Sequence, residues 1–277
     1  MEAIIYITIF IIGTLFGSFF TLATYRIPLG KDITHKRSYC PNCNHRLEFL
    51  DMIPIFSYIF LGGKCRYCKQ KIKPRYLLFE IFSGLTFLLF ALTLKLDVFN
   101  LSINIIAYLV YGLLYISTLF LISGIENQNH TISKSVLLFG VIVTTVYIIY
   151  LYIFNFDIYK YAIYLIIFLL ILLIDTIVLK KTGKQNYTLS ILMLCFYMAL
   201  GTNEEAVILS IISTLLMIAI SQIIIKNKDN KSNIIAEDSK KIPIGTYLCI
   251  SNIVFLILQN FILGVNIWKK FWEAIKE

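Results

Sequence analysis

Four cysteines fall into two pairs of identical spacing, Cys40-Pro41-Asn42-Cys43 and Cys65-Arg66-Tyr67-Cys68, with 21 residues between the pairs. A Cys-x2-Cys pair brings two sulfurs to one point of a tight turn, and two such pairs supply the four thiolates of a tetrahedral zinc site. Cys40, Cys43, Cys65 and Cys68 are therefore the expected metal ligands. His45 and Arg46 follow the first pair, and Lys64, Arg66 and Lys69 surround the second, so the expected module is basic. A second group of residues places carboxylates where they are costly to hold. Glu80 and Asp175 lie inside apolar stretches and Glu126 stands at the edge of another. An ionisable group at such a depth calls for a partner or a function. For Asp175 the alternatives are a site, a reach to the interface, or pairing with a loop lysine such as Lys180.

The elements that must carry these residues are membrane helices. A hydrophobic fraction of 58%, with 15% charged residues, excludes an ordinary soluble domain, as does a mean hydropathy of +0.80. Apolar runs at about 3–24, 76–94, 101–123, 135–154, 160–179, 188–201, 205–225 and 243–264 predict an all-α polytopic protein of about eight spans, the sixth short. The first run has no basic segment before it and reads as an uncleaved helix. Gly13, Gly17 and Ser18 give it a small-residue face for a close helix partner.

The long polar loop after the first span holds 11 of the 25 basic residues, which places it in the cytoplasm. A reducing cytosol favours metal over disulfides for its cysteines. Lone Cys195 and Cys249 read as packing residues. Within the loop, Met52–Leu61 is apolar but too short to span; it is either the core of the cysteine module or a segment dipping into the interface. The net charge of +9 reads as positive-inside topology and not as nucleic-acid binding. Lys226–Lys241 reads as a polar linker, and the tail bearing Lys269, Lys270 and Lys276 is basic.

An ordered set of motifs then resembles a known family. Gly17-Ser18-Phe19, Tyr25-Arg26-Ile27-Pro28, the first cysteine pair, Asp51-Met52-Ile53-Pro54, Gly63-Lys64 with the second pair, and Arg75-Tyr76 through Glu80 are similar to the type IV prepilin leader peptidases. Ile242-Pro243-Ile244-Gly245-Thr246 before the last span is a weaker match. The resemblance implies a bacterial inner-membrane enzyme of a type IV pilus or type II secretion system, acting on prepilin or pseudopilin leader peptides. It implies leader cleavage after a glycine by two aspartates, and methylation of the new N-terminus with S-adenosylmethionine as cofactor. It associates the zinc-stapled loop with methyl transfer. The domain division it suggests is 1–24 for the first helix, 25–75 for the cytoplasmic loop and 76–277 for a peptidase-like body.

The departures are specific. Glu126 stands where the family has its first aspartate. In Gly183-Lys184-Gln185-Asn186-Tyr187-Thr188, Asn186 replaces the second aspartate, Gln185 a glycine and Thr188 a lysine. Thr21 replaces an asparagine two residues after Gly-Ser-Phe. An amide cannot ionise, so the peptidase step is expected to be impaired, with Asp175 a possible substitute carboxylate. The alternative is a non-catalytic scaffold or regulator of the assembly. A basic leader would need acidic partners such as Glu48, Asp51 or Glu126.

Overall fold

The computed structural model describes every residue except 1, 36, 41, 98–101, 155–158, 203, 230–241 and 264–277. The sequence expectations for most of the 226–241 linker and for the basic tail lie outside the described residues. Nine α-helices are described: α1 (Glu2–Arg26), α2 (Phe56–Phe60), α3 (Arg75–Thr93), α4 (Ile103–Asn129), α5 (Lys134–Ile153), α6 (Tyr159–Thr182), α7 (Tyr187–Gly201), α8 (Glu204–Asp229) and α9 (Ile244–Leu263). Seven of them, all but α2 and α7, are long and apolar enough to cross a membrane. The 15 residues of α7 are apolar but rise only about 22 Å, short of a hydrocarbon core of roughly 30 Å. The chain is a multi-pass helical membrane protein, and it divides into two units, Met1–Leu113 and Leu114–Glu277.

In the first unit, α1 and α3 run antiparallel with their backbones in close approach. A Cβ on Gly13 would lie 2.8 Å from the Gly84 Cα, and one on Gly17 would lie 2.7 Å from the Glu80 Cα. Small residues let helices meet where lipid offers no hydrophobic drive, and the partner expected for the Gly13/Gly17 face is thus α3. At the end of α1 the buried Arg26 ties down the chain that follows, donating to the carbonyls of Asp32 (3.0 Å) and Arg37 (3.3 Å).

The second unit packs its helices through buried polar pairs. Tyr115 of α4 donates to Asn252 of α9 (2.7 Å), and Thr118 of α4 bonds Tyr197 of α7. Gly201 and Gly140 admit the rings of Tyr115 and Tyr197, which lie closer than any side chain there would allow. Such interhelical bonds hold together surfaces that apolar contact alone would leave free to slide in lipid. The remaining long side chains of α5, α6 and α8 face outward in large numbers, as lipid-facing helices require.

Candidate functional site

The two cysteine pairs fold as equivalent turns. Cys40 N–H donates to the His45 carbonyl and Cys65 N–H to the Gln70 carbonyl, both at 2.9 Å. The residues after the second cysteines, Asn44 and Lys69, both take positive φ (56° and 58°). Backbone bridges Tyr39–Arg46 and Lys64–Lys71 close the two turns in the same register. This conformation aims both thiols of each pair at one point, and the four Sγ atoms lie within 4.8 Å of one another. Cys40 and Cys68 are 3.8 Å apart, the edge of a tetrahedron with Zn–S bonds of about 2.3 Å. The cluster is therefore competent to hold a metal ion, as the spacing predicts.

Its surroundings fit that use. The Asn42 amide donates to the Cys68 sulfur (3.7 Å) across the two turns. The Gln70 backbone N–H, and then Asn42, hold the Cys68 thiol down at about 6, whereas at Cys43 a lowering backbone bond from His45 is outweighed by desolvation and the neighbouring Cys40 and Cys68 sulfurs, which push that thiol up to about 11. His45 and Tyr67 stack with centroids 3.5 Å apart, joining one turn to the other. Arg66 donates to Asp51 at 2.6 Å, and that contact raises the guanidinium pKa further. Asp51 is thus already engaged by a cation.

Glu80 meets no lysine. Its carboxylate accepts the Ile55 backbone N–H at 2.7 Å, so the loop itself descends to the intramembrane acid. The Met52–Leu61 run is not the core of the module: Met52, Phe56, Ile59 and Phe60 are exposed, while Pro54 is buried.

In the second unit α4 runs on to Asn129, past the expected end at 123, and carries Glu126 inside its last turn, fully buried. The reason is visible in its bonds. One carboxylate oxygen accepts from the Tyr187 hydroxyl and from Gly245 N–H (2.8 Å), and the other accepts from the Thr246 hydroxyl (2.7 Å). Glu126 thereby caps the N-terminus of α9 from another helix, where backbone N–H groups and the helix dipole favour an anion. A Cβ on Gly245 would sit 2.9 Å from the carboxylate, so a larger residue there would have to displace the Glu126 side chain.

The altered motif closes the same join. Gly183 ends α6 with φ +66°. The Gln185 amide donates to the Ile132 carbonyl (2.8 Å) and to the Ser190 hydroxyl (2.9 Å). Asn186 is the N-cap of α7, its side-chain oxygen accepting from the N–H groups of Thr188 and Leu189.

Asp175, also fully buried, pairs with Lys134 at the start of α5 and not with Lys180. Neither group has a hydrogen-bond partner beyond that ion pair among the described residues. Lys134, the first residue of α5, is brought against Asp175, whereas Lys180 stands more than a turn further along α6 and is exposed. Tyr187, Thr246 and Lys134 were not singled out from the sequence. The motif segments containing Tyr187 and Thr246 were the only signal that pointed their way.

Comparison with known proteins agrees with this geometry. Residues 11–94 match the family described as Bacterial Peptidase A24 N-terminal domain. The prepilin leader peptidase/N-methyltransferase of Klebsiella pneumoniae is 32% identical over 127 residues, covering 44% of this chain and 52% of that protein. The proteins of the same name from Myxococcus xanthus and Bacillus subtilis are each 39% identical over 79 residues, 28% of this chain and 24% and 32% of theirs. The matches thus span about half the length of the first relative and less of the others. No solved structure matches. Fold and site define a polytopic helical membrane protein carrying a four-cysteine metal-binding module. Through its N-terminal region the chain is similar to the Bacterial Peptidase A24 N-terminal domain and to proteins named prepilin leader peptidase/N-methyltransferase.

Proposed function

We propose that this protein acts on type IV prepilin-like substrates at the inner membrane, that its cysteine module holds zinc on the cytoplasmic side, and that methyl transfer outlives leader cleavage. The observation that supports this reading is the state of Glu126, whose carboxylate is taken up by three donors from α7 and α9. Peptide hydrolysis by a carboxylate pair needs one acid and one base sharing a water. Here one position is a saturated helix cap and the other, Asn186, is an amide committed to the N-terminus of α7. Asp175 is the remaining candidate carboxylate, and its charge is neutralised by Lys134. The metal module, by contrast, keeps all four thiols and their supporting bonds. Zinc there would order residues 39–72 as one body. S-adenosylmethionine is proposed as methyl donor because the relatives are named N-methyltransferases.

The test is purified full-length protein in detergent, offered an intact prepilin and a pre-cut pilin with labelled S-adenosylmethionine. Label on the pre-cut pilin without cleavage of the intact one is the expected result. Cleavage abolished by Asp175→Ala would show a rebuilt carboxylate pair. Absence of both activities would favour a scaffold of the assembly.

A further inference from the structure

Within the first unit the structure turns a row of apolar side chains outward from the cysteine module. Phe49 is 77% exposed, Phe56 60%, Ile59 61% and Phe60 83%. A metal-stapled module of this size has every reason to bury such side chains, and solvated phenylalanines at this density mark a contact surface.

Their depth identifies the contact. Ile55 N–H is bonded to the Glu80 carboxylate. Glu80 lies five residues into α3, roughly 7–8 Å beyond Arg75 at 1.5 Å per residue. The helix opposite agrees: Glu80 packs on Gly17, nine residues before Arg26 and roughly 13 Å from it along α1. Arg26 and Arg75 are the terminal residues of the two apolar helices, so the carboxylate that binds Ile55 lies on the apolar side of both ends. On α3 the exposed Leu78 and Phe82 bracket Glu80 and form part of the lipid-facing surface at that level.

The turn is also built to do this. Phe56 N–H donates to the Pro54 carbonyl at 2.6 Å, and Ile55 between them has φ +64° and ψ −55°. That conformation is rare for a β-branched residue and persists only where neighbours hold it. Here the buried acid holds it, with Pro54 packed inward and Phe56 directed out. The same module carries the exposed cations Lys64, Lys69, Lys71 and Lys73, a charge that anionic lipid phosphates attract.

We propose that Phe49–Phe60 is an interfacial anchor that inserts into the bilayer leaflet at which α1 ends and α3 begins, seating the cysteine module on an anionic lipid surface. The segment spans nothing; its phenylalanines enter the headgroup–acyl boundary while the lysines remain above it.

The experiment is Phe60→Trp in the full chain, with native Trp268 and Trp272 replaced by phenylalanine, in vesicles of phosphatidylcholine and phosphatidylglycerol. The expected result is blue-shifted emission that loses most of its intensity to lipids brominated about 5–10 Å below the headgroups. A Lys69→Trp control should emit as a wetted residue and resist quenching. Retained metal content shows that each variant is folded. If Phe60→Trp loses metal, Phe49→Trp asks the same question. Water-like emission without quenching overturns the proposal. So does a blue shift that appears only when a prepilin peptide is added, which would make the row a peptide-docking surface.

Discussion

The Tyr187 hydroxyl donates to the Glu126 carboxylate, so the helix capped by Asn186 is tied to the end of α4 through a fully buried acid. Glu126 and Asn186 both serve as joints between helices. This relationship has consequences that can be measured.

Restoring one aspartate should not restore cleavage. Asn186→Asp keeps the α7 cap, since aspartate caps as well as asparagine, and leaves Glu126 occupied by its three donors. Prepilin cleavage should stay at background and the melting temperature should barely move. Asn186→Ala should cost about 1 kcal/mol of stability through the lost cap. Cleavage by the Asn186→Asp protein would show that Glu126 is free to act.

Lys134 and Asp175 should behave as a buried pair. Lys134→Met strands a fully buried carboxylate and should destabilise the protein by about 3–5 kcal/mol. Adding Asp175→Leu should recover most of that loss, because neither charge then remains uncompensated. A double variant as unstable as Lys134→Met would show that Asp175 has other work.

Metal content should be about one zinc per chain and fall on any of Cys40→Ser, Cys43→Ser, Cys65→Ser or Cys68→Ser. Uptake also depends on pH in a stated direction. The Cys68 thiol is depressed to about 6 in the folded chain, from an ordinary value near 9. The unfolded chain therefore binds more protons between those values. Thiolate-linked stability is fully present above the higher value and is lost as pH falls through the lower one. Because Cys43 is shifted the other way, to about 11, the cluster as a whole must release protons to bind zinc, so uptake should weaken as pH falls through a measurable midpoint. Asn42→Ala removes a donor to Cys68 and should move that midpoint upward, as read by chelator competition across pH.

Gly17→Leu should separate α1 from α3, since even a Cβ there meets the Glu80 backbone. Overpacking of this kind costs about 1–3 kcal/mol. Because Glu80 also holds Ile55, the effect should reach the loop, seen as faster proteolysis between residues 49 and 60.

Much of this was legible in the sequence because it depends on short-range pattern. Apolar runs of about 20 residues define spans by length alone, and the observed helices begin and end within a few residues of those runs. Two Cys-x2-Cys pairs announce a metal cluster because the turn that joins each pair is local. Gly13 and Gly17 foretold a close helix approach through their spacing on one face.

The rest depended on residues far apart in the chain. Glu126, Tyr187 and Gly245-Thr246 meet only when α4, α7 and α9 pack. No periodicity could show that a glutamate in a degenerate motif would be consumed as a helix cap. The partner of Asp175 could not be chosen from sequence, because Lys180 is near along the chain and Lys134 is near in space. Glu80 similarly found a backbone amide of the loop and, among the described residues, no ion-pair partner. The sequence determined the membrane class and the clustering of the four cysteines, which follow from composition and spacing. Tertiary structure alone decided the fate of the three buried carboxylates, because burying a carboxylate demands donors, and packing chooses which donors arrive.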